Sequence, residues 1–341
     1  MLPARYFEVP KKDGGKRGTF SLTIKDRLKC QAILRQIEPI IENEYSPYVH
    51  SFRSDKASYY ASRSVRRFYL RNYGKEFYVL RMDIEKYADY VDHEYSLQLL
   101  RNMGIEEKVV DLVKNVIKQP FVKDGTLMSY RRGILQGMTF CPHFLNLNVN
   151  YLDNIIGKQV ALYRRVGDDF IIMDKDKEKL LKIKDFLEAE IKKIKLKFNT
   201  EKGQFGNINE MTFDFHGLQY KDGKVQFPQK SINRITKAWK KQFKFNPDQK
   251  QKAKIRKLKD FLWLDKKPKN QYFAQYARAY QFITDTRQVQ YLSKRFFDIL
   301  TKYLTGKITY KNKKKTKKIL KQCRFTTLPK YHYLRSNGKL K

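Results

Sequence analysis

Hydrophobic residues change their period several times along the chain, and each change marks an element. Short runs of strand-forming residues over 6–10 and 19–24 lie on either side of Lys11-Lys12-Asp13-Gly14-Gly15-Lys16-Arg17, whose Asp-Gly-Gly predicts a strand hairpin with a basic tip. Leu28, Ala32, Ile37, Ile40 and Ile41 then recur near helical spacing, so one helix is expected over 26–44 and a second over 57–70. Between them lies Phe52-Arg53-Ser54-Asp55-Lys56, a basic loop with no chemistry visible on its own. Residues 77–82 read as a strand ending at Asp83, and 85–93 as irregular chain in which Asp89 and Asp92 serve a turn and a helix cap. His93, at a helix start, is assigned no function. Helices follow through Met103 and over 106–117.

The glycine-rich run 133–142 leads into a helix over 143–156, with Pro142 suited to its first turn. Two runs of strand formers then enclose Gly167-Asp168-Asp169, which predicts a second hairpin. Leu180, Ile183, Leu187, Ile191 and Ile194 make an amphipathic helix with a lysine-rich outer face, and residues 196–202 read as a strand and turn. A strand over 211–220 pairs through Lys221-Asp222-Gly223 with 224–227. From Ser231 the pattern turns helical, basic and aromatic, with helices expected within 231–243, 248–264, 270–284 and 288–304. A basic tail for nucleic-acid contact follows from Lys307.

Charge narrows the partner. There are 73 Lys plus Arg against 35 Asp plus Glu, a formal +38, and this excess is spread too widely to be one solvated face. A polyanion accounts for it, and 23 Tyr with 23 Phe offer surfaces on which bases can stack. No apolar run has the length of a spanning helix and no cleavable signal precedes Tyr6, so a cytoplasmic location without membrane contact is expected. Cys30, Cys141 and Cys323 are far apart and lack metal spacing, so reduced thiols are expected.

The candidate chemistry sits at Asp168 and Asp169. Consecutive carboxylates at the tip of a core-anchored hairpin repel one another, and a divalent cation relieves that repulsion. Asp83 ends a similar strand and is followed by Ile84. Three carboxylates at the ends of neighbouring strands can hold two Mg2+ ions about 3.5–4 Å apart, a spacing that clamps both oxygens of an in-line phosphoryl displacement.

In order and spacing these pieces resemble the reverse transcriptase family, and within it the prokaryotic enzymes of group II introns, retrons and defence-associated relatives. Asp83-Ile84-Glu85-Lys86-Tyr87 resembles the first palm motif. Gln136-Gly137 through Cys141-Pro142 and Asn146-Leu147 resemble the second, and Val166-Gly167-Asp168-Asp169 the third. Asn199-Thr200-Glu201-Lys202 is similar to the fourth motif, and Phe215-His216-Gly217-Leu218 to the primer grip.

The resemblance implies an α+β right-hand polymerase: fingers over 1–76 with the basic hairpin 6–24, a palm over 77–228 with its antiparallel sheet packed on helices, and an α-helical thumb over 229–306. The basic tail spans 307–341. It further implies an RNA-directed DNA polymerase with two Mg2+ ions, or Mn2+, held by Asp83, Asp168 and the Ile84 main chain, with Asp169 beside them. Lys11, Lys16 and Arg17 would meet the incoming triphosphate, Gln136 and Gly137 would lie against the templating pair, and Lys202 would approach the leaving group. The implied partners are an RNA template, a DNA or RNA primer or a priming protein, and dNTPs.

Departures from the family pattern matter here. Val166 stands where the third motif carries an aromatic, and Cys141 replaces a serine. Ala88 stands where an aromatic usually excludes a ribose 2′ hydroxyl, so sugar discrimination is expected to weaken or to shift to Tyr87 or Tyr90. Nothing resembling an endonuclease, a ribonuclease H acid set or retron signatures is found, and the chain starts close to the finger hairpin. A small prokaryotic polymerase paired with a dedicated RNA or a protein partner, by analogy in antiviral defence, is therefore the expectation. Two alternatives stay open: an enzyme with the same metals that works without a template or makes RNA, and a non-catalytic RNA-binding scaffold.

Overall fold

A computed structural model describes residues 1–10, 15–262 and 281–322. Lys11, residues 270–280 of the helix expected over 270–284, Cys323 and the tail from 323 lie outside the described residues, as does the side chain of Arg17, while residues 281–284 are turn and irregular chain and not helix. The chain divides into two compact units, Met1–Met211 and Thr212–Lys341. The strands between 212 and 228 cluster with the helices that follow them.

The first unit holds two four-stranded sheets. One joins β1 (Ala4–Pro10), β2 (Lys16–Ser21), β4 (Phe121–Lys123) and β5 (Thr126–Met128) in the order β2-β1-β4-β5. The other joins β3 (Tyr78–Asp83), β6 (Leu162–Val166), β7 (Asp169–Asp174) and β8 (Gln204–Asn207), all antiparallel, in the order β6-β7-β3-β8. Phe170, Ile171, Ile172 and Met173 are all fully buried, which explains why β7 reads as an unbroken apolar run: it is an inner strand covered on both faces. Helix α8 (Lys177–Lys193) buries Leu180, Ile183, Leu187 and Ile191, and Asp176 caps it by accepting from Lys179 N at 3.0 Å. Around the sheets lie α1 (Ile24–Glu44), α2 (Tyr59–Asn72), α3 (Tyr87–Tyr90), α4 (His93–Asn102) and α5 (Glu107–Ile117), with α6 (Cys141–Leu147) and α7 (Asn150–Gly157). Asp92 caps α4, as expected, and Cys30 and Cys141 are free and buried.

Several elements differ from expectation, each for a local reason. The helix expected over 143–156 is two helices, because asparagine side chains at the break bond to neighbouring groups. Asn148 Nδ2 reaches Phe144 O at 2.8 Å and Ser96 Oγ at 3.0 Å, while Asn150 Oδ1 accepts from Ser46 N at 2.8 Å. The stretch after Asp83, expected to be irregular, contains the single turn α3. The strand expected over 196–202 reduces to one bridge, Ile84 with Phe198, and the paired strand comes later as β8. A half-buried Gln-Phe-Gly-Asn edge strand has no alternation to announce it. The β4–β5 hairpin turns on Asp124-Gly125, but its three-residue arms are too short to show a period.

The second unit starts with a meander of β9 (Phe213–Phe215), β10 (Leu218–Lys221) and β11 (Lys224–Gln226). The single strand expected over 211–220 is broken at His216-Gly217, where both residues take positive φ. Helices α9 (Gln229–Gln242), α10 (Gln251–Leu262), α11 (Thr286–Thr305) and α12 (Tyr310–Gln322) follow. Trp239 packs on Phe296 and Phe243 on Tyr303, with ring centroids 4.6 and 5.3 Å apart. The part of the basic tail that is described is helical, and it buries Thr316, Ile319 and Leu320 in this unit.

Candidate active site

The two inner strands of the second sheet, β3 and β7, run antiparallel in a register that sets Asp83 directly opposite Asp169. Val166 pairs with Asp169, so the loop from β6 to β7 is only Gly167-Asp168. Gly167 takes φ +67° and supplies the left-handed residue that such a tight hairpin requires. Ile84 N donates to Asp168 O at 3.0 Å, which ties the strand carrying the first acid to the turn carrying the second. Three acidic residues from two distant parts of the sequence thus lie at one end of the sheet.

Like charges facing each other across strands are destabilising, and two cations of this chain offset them. Arg81, two residues before Asp83 on the same face of β3, sends Nε to Asp169 Oδ1 at 2.9 Å and a terminal nitrogen to Oδ2 at 3.4 Å. Lys202 Nζ lies 2.7 Å from Asp83 Oδ1. The turn carrying Lys202 is itself fixed to β3, because Asn199 N donates to Asp83 O at 2.7 Å. Burial, with repulsion from Asp83 and Asp168, pushes the Asp169 carboxyl up to about 6 despite the pull of Arg81. Burial works against the Lys202 ammonium, yet its bond to Asp83 leaves it above its ordinary pKa.

Among the described residues no three His, Cys, Asp or Glu side chains converge closely enough to hold a metal as they stand. The donor chemistry nevertheless fits a divalent cation. The groups are hard carboxylate oxygens, and Asp83 already holds a positive charge, the Lys202 ammonium, that a metal ion could replace. Asp169 is engaged by Arg81, whereas the Asp168 side chain is exposed at the turn.

Beneath the turn lies an ionic network that sequence reasoning missed. Arg165 is completely buried and its fork grips Asp153, also completely buried, at 2.8 and 2.6 Å. Its remaining donors reach Gly167 O at 3.0 Å, Asn146 O at 2.9 Å and Leu145 O at 3.2 Å. Ser51 Oγ accepts from Gly167 N at 2.9 Å and donates to Asn146 Oδ1 at 2.9 Å. Both main-chain polar groups of Gly167 are therefore held by buried side chains. Burial opposes the charge on Arg165, but the Asp153 carboxylate outweighs it and raises the guanidinium above its ordinary pKa. Two sequence signals could have pointed here: an arginine in a strand that packs on the core, and an acid on the apolar face of a short helix.

On the expected nucleotide side, the structure links the loop of Gln136 and Gly137 to β2 and to Ala88. Phe20 N of β2 donates to Gln136 O at 2.9 Å, and a Cβ at Gly137, where φ is +105°, would lie 2.8 Å from Phe20 O. Ile134 N donates to Ala88 O at 2.7 Å, so the glycine-rich loop joins the basic hairpin to α3. Lys16 is exposed and paired with Glu8 at 2.9 Å. Ala88 is 7% exposed and Tyr87 3%, and the Tyr87 hydroxyl has no hydrogen-bond partner among the described residues. Tyr90 is half-buried, with the Arg132 guanidinium 4.5 Å above its ring. His93 is structural: its Nε2 lies 2.6 Å from Gly133 O. Phe215 to Leu218 form the β9–β10 turn of the second unit, with Phe215 and Leu218 buried and His216 and Gly217 exposed.

Residues 9–245 match the profile of a family described as reverse transcriptase (RNA-dependent DNA polymerase). The chain is 26% identical over 157 residues to Protein YkfC of Escherichia coli strain K12, an alignment covering 46% of this chain and 41% of that protein. It spans less than half the length of the curated relatives it matches. Among solved structures it is similar to telomerase from Candida tropicalis in complex with a TWJ fragment of telomeric RNA, with a TM-score of 0.53 and 15% identity over 95% of this chain and 64% of that one. Telomerase from Candida albicans in the same kind of complex gives a TM-score of 0.51 and 12% identity over 94% and 62%. At these identities the likeness is one of fold, the right-hand polymerase architecture.

Proposed function

Because the chain belongs to the reverse transcriptase (RNA-dependent DNA polymerase) family, we propose that it extends a 3′ hydroxyl with deoxynucleotides along an RNA template, with Asp83, Asp168 and Asp169 as its acidic centre. The observation that carries this reading is the register of β3 against β7, which brings the three carboxylates to one end of the sheet.

Asp83 and Asp168 would hold the divalent ions, with the Ile84 main chain at the edge of the site and Asp169 kept in place by Arg81. When bound, Mg2+ or Mn2+ lowers the pKa of the attacking hydroxyl and neutralises charge on the departing pyrophosphate. Lys202 would leave Asp83 as the site loads, which frees an ammonium for the incoming phosphates. Lys11, Lys16 and Arg17 on the basic hairpin are assigned to the same phosphates. Gln136 and Gly137 are assigned to the templating pair, and the β9–β10 turn to the primer. In this reading residues 1–76 act as fingers, 77–228 as palm and 229–306 as thumb.

Ala88 supports a second enzymatic reading, with relaxed sugar choice or synthesis without a template, since a methyl group there offers nothing to stack under a sugar. Tyr87, buried in the core, is a poorer substitute for the missing aromatic than the half-buried Tyr90. The finer assignment, a prokaryotic enzyme with a dedicated non-coding RNA and a protein or nucleic-acid primer in antiviral defence, rests on analogy. Sequencing the nucleic acid that co-purifies with the protein tests it. Primer extension on a homopolymer RNA template by wild type and Asp168→Asn separates the main readings. Metal-dependent, template-dependent synthesis by wild type alone supports polymerisation, product without template supports the second reading, and no product by wild type leaves only an RNA-binding scaffold.

A further inference from the structure

Helix α2 stands apart from the other long helices of its unit in charge. α1 balances four cations with four acids, α5 two with two, and α8 sets four acids among six lysines, some of them in ion pairs such as Lys184–Glu188 and Lys193–Glu190. α2 carries Arg63, Arg66, Arg67 and Arg71 and no acid, and none occurs from Lys56 through Lys75. Its inner face is settled: Ala61, Ser62, Val65 and Tyr69 are buried, and Arg164 of β6 donates to Ser64 Oγ at 2.8 Å. Arg63, Arg67 and Arg71 lie on the outer face, exposed and with no ion-pair partner among the described residues. Their four-residue steps place them about 6 Å apart along the helix axis, comparable to successive phosphates of an extended strand. Tyr60, 41% exposed and 4.1 Å from the Tyr59 ring between centroids, opens the same stripe with an aromatic surface.

The neighbouring loop adds to the field. Lys56 and His50 are both held below their ordinary pKa values, by burial first and then by nearby cations that include Arg53 and Arg164, with His50 pushed down to about 4. Within this field Arg53 is matched by Asp55 at 2.7 and 2.8 Å, whereas Arg63, Arg67 and Arg71 form no ion pair among the described residues, and a repeating anion from outside fits their repeating stripe.

We propose that the outer face of α2, through Arg63, Arg67 and Arg71 with Tyr60 at its head, binds a nucleic-acid phosphodiester backbone on the flank of the β6 edge. The inference rests on the polymerase reading for its partner class, yet its test needs no nucleotide addition. Fluorescence anisotropy with one single-stranded sequence, as RNA and as DNA, is measured on the full chain from 50 to 200 mM salt.

For R63Q/R67Q/R71Q the slope of log affinity against log salt falls in magnitude by about 2, since each phosphate contact on a single strand contributes roughly 0.7. The matching K184Q/K192Q/K193Q variant of α8 leaves the slope unchanged, and R63K/R67K/R71K keeps it. A fall confined to the RNA arm identifies RNA as the ligand, and a fall in both identifies the shared backbone. An unchanged slope in R63Q/R67Q/R71Q overturns the proposal, including when an acidic protein co-purifies with wild type and is lost from the variant. An equal fall in the α8 variant also overturns it, because diffuse charge then accounts for binding. Should the triple variant fold poorly by circular dichroism, Arg67→Gln alone reads the same effect as a fall of roughly 0.7. Failure of wild type to extend a primer would sink the polymerase reading and leave this slope as measured.

Discussion

Replacing Arg165 with Met tests how the acidic turn is held. Arg165 and Asp153 are both 0% exposed, and removing one partner of a buried pair costs about 3–5 kcal/mol because the other is left charged or must take up a proton. In a unit the size of Met1–Met211 this corresponds to a fall in melting temperature of roughly 6–20 °C, at about 2–4 °C per kcal/mol. Asp153→Leu combined with Arg165→Met removes both charges and recovers part of the loss. The recovery is incomplete, since the carbonyls of Leu145, Asn146 and Gly167 stay without the guanidinium.

Denaturant unfolding of wild type, both single variants and the double variant gives a coupling energy, expected near 2 kcal/mol or above. The single Arg165→Met variant has an acid-dependent signature as well. Its lone buried carboxyl has a folded pKa above the unfolded value, so acid favours its fold, and the deficit relative to wild type shrinks as pH falls toward about 4. Primer extension separates positioning from stability, because the double variant regains melting temperature while extension stays low and the Gly167 amide exchanges faster with solvent. Additivity of the single effects within about 0.5 kcal/mol, or full extension by the double variant, would refute the assignment of this pair to holding the turn.

Other consequences can be checked separately. In metal-free protein the Asp169 carboxyl, pushed up to about 6, binds its proton more tightly folded than unfolded; it therefore stabilises the fold below about pH 4 and loses that contribution as pH rises through 6. Relative to Asp169→Asn, wild type should gain about 2 kcal/mol between pH 7 and 4, and a flat difference in chelator would exclude the raised value. Gly137→Ala places a Cβ 2.8 Å from Phe20 O at φ +105°, so a loss of about 1–3 kcal/mol and a raised KM for nucleotide are expected; an unchanged KM would show that the contact of β2 with the loop is unimportant to substrate. Side-by-side incorporation of dGTP and GTP should show weak sugar discrimination because of Ala88, and a strong deoxy preference that survives Tyr87→Phe and Tyr90→Ala would reject that reading.

The acidic pair and the strand ending at Asp83 were legible because their flanks are long apolar runs, and such runs report burial regardless of what they pair with. Gly167, the Asp92 cap and the inner face of α8 are likewise local in origin. The elements that escaped sequence reading depend on distant partners. β8 is recognisable only through its register with β3, the α6–α7 break through Asn150 reaching the chain around Ser46, and the β4–β5 hairpin through the pairing of Phe121 with Ala4. Arg165 and Asp153 are twelve residues apart, and either alone reads as an anomaly; only folding makes them one buried pair. Lys202 could be matched to a motif, but its bond to Asp83 spans 119 residues and has no sequence signature.

The claim that Asp83 and Asp168 are the metal ligands is met most directly by paramagnetic resonance of Mn2+ titrated into the protein with primer, template and a non-hydrolysable nucleotide. Tight binding by wild type, weakening of at least tenfold in Asp83→Asn and in Asp168→Asn, and tighter binding in Lys202→Gln are expected. Equal Mn2+ affinity in wild type, Asp83→Asn and Asp168→Asn would contradict the account.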